Sequence, residues 1–370
     1  MDLNNTAQMK EYDPKNMLNQ VYSLPELIEV LLSRDFTIPS HIKTDKFEVS
    51  YVEKPNSIII CGMGGSAVSG DYVKVIFPLQ IPVTVIRNYN LPKFVGKDTL
   101  VCLVSYSGNT EETLSCLLLA LEKGCPVVGI SSGGYITRFF EENSLPHFEI
   151  PGGFQPRAAF PLIFLALVKI FQSFDMISLQ GTAIDELLYN LRDIRDQCRP
   201  DVNLPENSAK NTAMNLFQKI PVIWAPYGCV ANRIKCQFNE NSKMLAISEE
   251  LPELNHNHIV GWEGYEKNDY PFLVLAIRFP TEHQYVRLRF EISKRIVSPK
   301  CELIEVHGKG VHLLSQLLSV TYLFDFISIY LAMLNHKDPS TVSSIDYLKR
   351  ELEERKQTQS KVIEALQRLS

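Results

Sequence analysis

The chain has 370 residues, a formal net charge of -5 and a pI near 6.0, with 45% hydrophobic and 21% charged residues. That length asks for two ordinary domains, and the balance is that of a folded globular protein, neither disordered nor fibrous. A mildly acidic chain has no general attraction to phosphate backbones or anionic lipid, so nucleic acid and membrane partners are disfavoured.

In chain order, the opening MDLNNTAQMKEYD has no basic segment followed by an apolar core, so it does not read as a secretory signal. Residues 1–50 read as a helical N-terminal segment, and 51–175 as a first α/β domain. Within that domain, short β-branched runs at 57–61, 83–86, 99–105, 127–131 and 148–150 alternate with helical patterns at 68–76, 111–123 and 158–171. Such alternation is the signature of a parallel sheet covered by helices, the doubly wound arrangement. The more polar stretch 176–215, with a helix at 184–197 and a loop carrying Pro200 and Pro205, reads as a helical linker. A second α/β domain is expected over 216–340, with strands at 221–225, 272–277 and 302–306 and helices at 231–247 and 282–296. The apolar run 317–334 holds Asp325 in its middle and is interrupted by Ser319, Thr321 and Ser328, which predicts a buried helix and not a membrane span. Residues 341–370 read as a C-terminal helix and tail. The eight cysteines form no CxxC pair, and several sit in apolar runs such as Ser57-Ile-Ile-Ile-Cys61, the usage of reduced, buried thiols in a cytoplasmic protein.

Two stretches carry chemistry. Cys61-Gly-Met-Gly-Gly-Ser-Ala-Val-Ser-Gly70 directly follows the first strand, where glycines let the backbone approach a ligand and a helix N-terminus offers N–H groups to an anion. It lacks dinucleotide-binding spacing and an acidic ribose ligand after the second strand, and a tight turn with no ligand is the other way to read it. Ser105-Tyr-Ser-Gly-Asn-Thr110-Glu-Glu-Thr113 lies where the third strand passes into a helix, and its hydroxyls with the helix dipole make a cradle for phosphate. A Thr110 N-cap accounts for Thr110 and Thr113, but no capping rule asks for Ser105 or Ser107.

Together these stretches resemble the sugar isomerase (SIS) family. Gln155-Pro-Arg-Ala-Ala159, Asn239-Glu-Asn-Ser-Lys243, Pro252-Glu-Leu-Asn-His-Asn257, and Asp338-Pro339 followed by Ile345-Asp-Tyr-Leu-Lys349 narrow the resemblance to the bifunctional phosphoglucose/phosphomannose isomerases. The resemblance spans roughly residues 15 to 352. It implies two SIS domains, each a parallel sheet flanked by helices, with C-terminal helices, and an aldose–ketose isomerase interconverting fructose 6-phosphate with glucose 6-phosphate and mannose 6-phosphate. It assigns Gly65, Ser66, Ser105, Ser107 and Thr110 to the substrate phosphate, Arg157 to the enediolate, Glu240 to proton transfer between C1 and C2, and His256 and Lys349 to ring opening. It also implies a homodimer in which His256 crosses to the neighbouring subunit. From the residues alone, Glu240 reads equally as a helical carboxylate paired with Lys243, Arg157 as a surface arginine, and Lys349 as part of a solvated charged face. His256-Asn-His258 could suggest metal, but Glu253 is the only further ligand type nearby, so no metal and no cofactor are expected. Pro161 stands where a small residue is expected after Arg157, and the tail past Arg350 is additional length.

Three other functions compete. A regulatory sugar-phosphate sensor needs the Ser/Thr cradle but not Arg157, Glu240, His256 and Lys349 together. The isomerase module of an amidotransferase would come with a glutaminase-like domain, which this chain lacks. A glucose 6-phosphate-only isomerase differs in the room around C2, set by the loop 338–344.

Overall fold

In the computed structural model, which describes residues 1–51, 54–266 and 270–369, the chain opens with three short helices, α1 (Thr6–Tyr12), α2 (Met17–Tyr22) and α3 (Leu24–Leu32). An antiparallel pair follows, β1 (His41–Lys43) and β2 (Glu48–Ser50). The alternating region holds β3 (Ser57–Cys61), α4 (Gly64–Ile76), β4 (Val83–Ile86), β5 (Thr99–Val104), α5 (Glu111–Glu122), β6 (Val127–Ser131), α6 (Gly134–Glu142), β7 (His147–Glu149) and α7 (Phe160–Ser173). Then come α8 (Gly181–Cys198), α9 (Ser208–Leu216), β8 (Ile220–Ala225), α10 (Gly228–Gln237), β9 (Ile247–Glu250), α11 (His258–Gly261), β10 (Phe272–Arg278), α12 (Gln284–Val297) and β11 (Glu302–His307). The chain closes with α13 (Leu313–Leu334), α14 (Ser343–Lys356) and α15 (Thr358–Gln367).

The chain divides into two units that do not follow chain order. One is Glu26–Leu179 with Val342–Ser370, and the other is Met1–Pro25 with Gln180–Thr341. The terminal segments explain the exchange: α15 packs on α5, while α2 packs on α13, where the Tyr322 hydroxyl donates to the Val21 carbonyl at 3.0 Å.

The first unit is built on a five-stranded parallel sheet in the order β4-β3-β5-β6-β7. Strands β3, β5 and β6 are buried along their whole length, which is why they read as unbroken aliphatic runs with no polar alternation. The order reverses direction between β3 and β5, so right-handed crossovers send α4 to one face and α5 and α6 to the other. On the first face α4 meets α7 through Tyr72 and Phe160, whose rings stand edge to face at 4.8 Å. Two elements differ from the sequence expectation. Helix α4 starts at Gly64, four residues before the apolar pattern does, because Gly64 takes a left-handed φ of 49° that turns the strand straight into the helix. Helix α6, absent from the sequence expectation, is capped by Gly133 and begins at Gly134. Pro161 is accommodated in the first turn of α7, where no amide donor is needed.

The second unit has a four-stranded parallel sheet, β11-β10-β8-β9. Its organising helix is α13, which is long and apolar enough to cross a membrane, yet 94% of its most apolar window is buried against α8, α9, α10 and α2. Asp325 sits in that apolar helix because Arg233 Nη2, at 3.1 Å, and Gln237 Nε2 both donate to its Oδ1. The stretch 176–215, read as a linker, contributes α8 and α9 to this packing. Lys210 there is fully buried and donates to the carbonyls of Pro200 and Val202, each at 2.7 Å. The helix expected over 231–247 stops early. Helix α10 ends at Gln237, a single π turn covers Phe238–Ser242, Lys243 takes a left-handed φ of 56°, and β9 begins at Ile247.

Candidate active site

In the five-stranded unit the carboxyl ends of β3 and β5 lie side by side at the point where the strand order reverses, the place open α/β sheets offer to ligands. Two helices start there, α4 of 13 residues and α5 of 12. Their cap residues, Met63 and Thr110, spend no side-chain hydrogen bond on the helix amides. Both positive helix ends therefore remain available to an anion. Thr110 has the N-cap position that sequence assigns to it, but its hydroxyl turns instead to Ser105, Oγ to Oγ1 at 2.8 Å. Ser107 is exposed and accepts the Asn109 amide at 3.3 Å, while Ser66 is buried in the first turn of α4. The glycines set the spacing. A β-carbon on Gly62 would stand 2.8 Å from the Val104 carbonyl, so only glycine lets the end of β3 approach the end of β5 this closely.

Arg157 belongs to the same constellation. A β-carbon on Gly65 would lie 3.8 Å from the Arg157 Cα, which puts the arginine-bearing turn against the first turn of α4. Arg157 is 3% exposed, so it is not the surface arginine that is one reading of the sequence. Tyr106 explains how its segment is held: the buried phenol donates to the Pro151 carbonyl at 3.1 Å and accepts the Phe154 amide at 2.8 Å. Helix α6 braces the serine loop from the other side, with the Ile136 amide on the Gly108 carbonyl and the Tyr135 amide on Asn109 Oδ1, both at 2.9 Å. Lys349 stands exposed on α14, within this same unit. A cavity of about 670 Å³ lined by Phe94, Lys97 and Asp98 opens at the amino end of the sheet, away from all of these groups.

Glu240 and His256 lie in the four-stranded unit. Glu240 is half-buried on the π turn, and that turn is bolted to α13: Asn241 Nδ2 donates to Ser328 Oγ at 2.9 Å, Ser242 Oγ donates to the Ser328 carbonyl at 2.7 Å, and Asn335 Nδ2 donates to the Ser242 carbonyl at 3.0 Å. Lys243 Nζ bonds the Glu240 backbone carbonyl and, at 2.7 Å, that of Thr341. Single π turns inside helices are costly and recur at functional positions. His256 ends a 3-10 turn, Glu253–His256, and is exposed, whereas His258 Nδ1 faces Glu249 at 3.5 Å and burial lowers its pKa. The strand-to-helix junction of this unit differs in having a carboxylate from another element against it. A β-carbon on Gly228, the first residue of α10, would collide with the Glu250 carboxylate, so that helix end already faces its own anion. The five-stranded unit thus carries the glycine and hydroxyl loops, and the four-stranded unit carries Glu240 and His256.

Comparison with known proteins shows the family. Residues 205–352 match the family model described as the bacterial phospho-glucose isomerase C-terminal SIS domain. A bifunctional phosphoglucose/phosphomannose isomerase of Caldicellulosiruptor bescii is 34% identical over 344 residues, covering 91% of this chain and 99% of its own. The chain belongs to that family. Another bifunctional phosphoglucose/phosphomannose isomerase, from Aquifex aeolicus, is 34% identical over 80% of this chain and 90% of its own. A crystal structure of a glucose-6-phosphate isomerase like protein from Thermus thermophilus shares the fold of this family member, with a TM-score of 0.59 and 17% identity over 95% of this chain and 99% of that one.

Three residues that hold the Ser105–Thr110 loop in this family member were not singled out from the sequence. Tyr106 and Asn109 lie between the hydroxyl residues that drew attention and carry the tethers to Phe154 and Tyr135. Gly134 has a φ of 75° and lies so close to the Ser107 carbonyl that a side chain there would clash. The Gly133-Gly134 pair was the available signal.

Proposed function

We propose that this protein interconverts fructose 6-phosphate with glucose 6-phosphate and mannose 6-phosphate at one site. The observation that carries the reading is the pair of α4 and α5 N-termini, left open by their cap residues and lined by Ser66, Ser107 and Thr110 beside buried Arg157, in a chain of this family. The amides and hydroxyls of Gly65, Ser66, Ser105, Ser107 and Thr110 hold the phosphate, whose binding energy orients carbons remote from it. Lys349 and His256 assist ring opening. Glu240 then removes the proton next to the carbonyl and returns it to the neighbouring carbon, so one carboxylate moves the carbonyl between C1 and C2. The fixed charge of Arg157 stabilises the enediolate oxygens that develop in between.

Glucose and mannose 6-phosphates differ only at C2, and the enediolate erases that difference. A pocket that lets the C2–C3 bond rotate gives Glu240 access to both faces. Proton transfer of this kind requires no redox group or metal, and among the described residues no group of three or more His, Cys, Asp or Glu is placed to hold a metal ion. We further propose a cytoplasmic homodimer in which His256 serves the neighbouring subunit's site. The deciding experiment supplies fructose 6-phosphate to purified protein and reads glucose 6-phosphate and mannose 6-phosphate separately, with and without chelator. Both products, chelator-insensitive, are expected. Absence of mannose 6-phosphate would reduce the enzyme to a glucose-type isomerase, and absence of both would leave a binding protein.

A further inference from the structure

Helix α15 lies against α5, the helix whose N-terminus carries the Ser107–Thr110 loop, and its contact there is polar. Thr358 Oγ1 donates to Glu111 Oε2, and Gln359 Nε2 donates to the Asn109 carbonyl at 2.8 Å. The other oxygen of Glu111 accepts the Tyr89 hydroxyl. Glu353 of α14 ties down the start of α15, accepting the Gln359 amide at 3.0 Å and the Ser360 hydroxyl. Farther along α15, Leu366 is fully buried. The matching family model ends at residue 352, before Thr358 and Gln359.

Glu111 is an awkward neighbour for a phosphate. A carboxylate in the first turn of α5 favours the helix dipole but repels an anion bound at the same amides. Engaging both of its oxygens with hydroxyls fixes the carboxylate in one position and offsets part of its field. We infer, resting on the reading of this loop as the phosphate site, that the α14–α15 hairpin is a clasp on the loop, with Thr358 and Gln359 as positioning residues that hold Glu111 and Asn109 so that the loop accepts phosphate. The same hairpin carries Lys349, so the clasp also anchors the helix that presents it.

The test uses the full chain with Thr358→Val and Gln359→Ala, and calorimetric titration with fructose 6-phosphate and with inorganic phosphate. Each substitution removes one donor and is expected to raise both Kd values about fivefold, with KM following and kcat within about twofold. Thr358→Ser should bind as wild type, and adding Glu111→Gln to Thr358→Val should remove most of the effect, since the uncompensated carboxylate is then gone. Ser107→Ala is run beside them: if it leaves phosphate binding unchanged, the loop is not the phosphate site and the functional reading falls. If Ser107→Ala weakens binding while both tail variants bind as wild type, the clasp is refuted and the functional reading stands. A weakened Thr358→Val that Glu111→Gln does not relieve would mark a general structural defect and would also refute the clasp.

Discussion

Glu240 illustrates how little a single residue shows by type. Its neighbour Lys243 suggests an ordinary helical pair, yet Lys243 bonds backbone carbonyls and the carboxylate sits on a π turn that α13 locks in place. Glu240→Gln keeps the shape and loses the basicity, so turnover should fall roughly a hundredfold or more while fructose 6-phosphate binding stays near wild type. Solvent-proton exchange at C2 measures this directly, and near-normal exchange would remove Glu240 from the role. Ser107 and Thr110 make a complementary case. Alanine at either should weaken phosphorylated sugars by about 1 kcal/mol, one hydrogen bond among several, and leave unphosphorylated fructose unaffected. Inhibition constants for the two sugars check it, and equal losses would place these hydroxyls away from the phosphate. The hydroxyl residues were legible in sequence because no capping rule required Ser105 and Ser107. Arg157 was not separable from a surface arginine, since its burial arises where its turn meets the first turn of α4, far away in the chain.

The element that decides the position of Glu240 is the pairing of α10 and its π turn with α13. Asp325 is at its centre. Burial pushes its pKa up to about 6, against the opposing pull of Arg233 and Gln237. A carboxyl with a raised native pKa contributes stability that is fully present below its unfolded value and is lost as pH rises through the native one, here from about 4 to about 6. Asp325→Asn does not titrate. The stability gap between wild type and variant should therefore narrow as pH rises across that window, as read from urea midpoints at several pH values. A gap that is constant, or that widens with pH, would show that Asp325 is ionised throughout. The sequence reading placed a helix through 231–247, but the helix ends at Gln237. What ends it is tertiary: Asn241 and Ser242 bond Ser328, and the extra residue of a π turn is needed to bring both onto α13. Helix α6 was missed for a related reason, since its glycine start is fitted against the serine loop, a segment distant in the chain.

At the scale of the whole molecule, the residues assigned to the proposed reaction fall in two units. The five-stranded unit holds Ser66, Ser107, Thr110, Arg157 and Lys349, and the four-stranded unit holds Glu240 and His256. If His256 serves a neighbouring subunit, a mixture of Glu240→Gln and His256→Ala chains should regain part of the activity that each homodimer lacks. The expected ceiling is roughly a quarter of wild type, because only heterodimers carry an intact site and they carry one of two at a statistical half of the population. Subunit exchange is followed by mass, and complete exchange without recovery would confine His256 to its own chain.

The sequence by itself determined the alternating α/β architecture, the two sheets and the hydroxyl-rich loop after β5, because buried parallel strands must be continuous apolar runs and loops at their carboxyl ends carry the unusual residues. Only the tertiary structure decided that the terminal segments exchange between units, that Glu250 occupies the helix end the second sheet could have offered, and that the last helix reaches back to Glu111 and Asn109. Each of these depends on groups far apart in the chain meeting at one point. Local propensity and spacing describe a residue's near neighbours along the backbone, so they carry no record of such meetings.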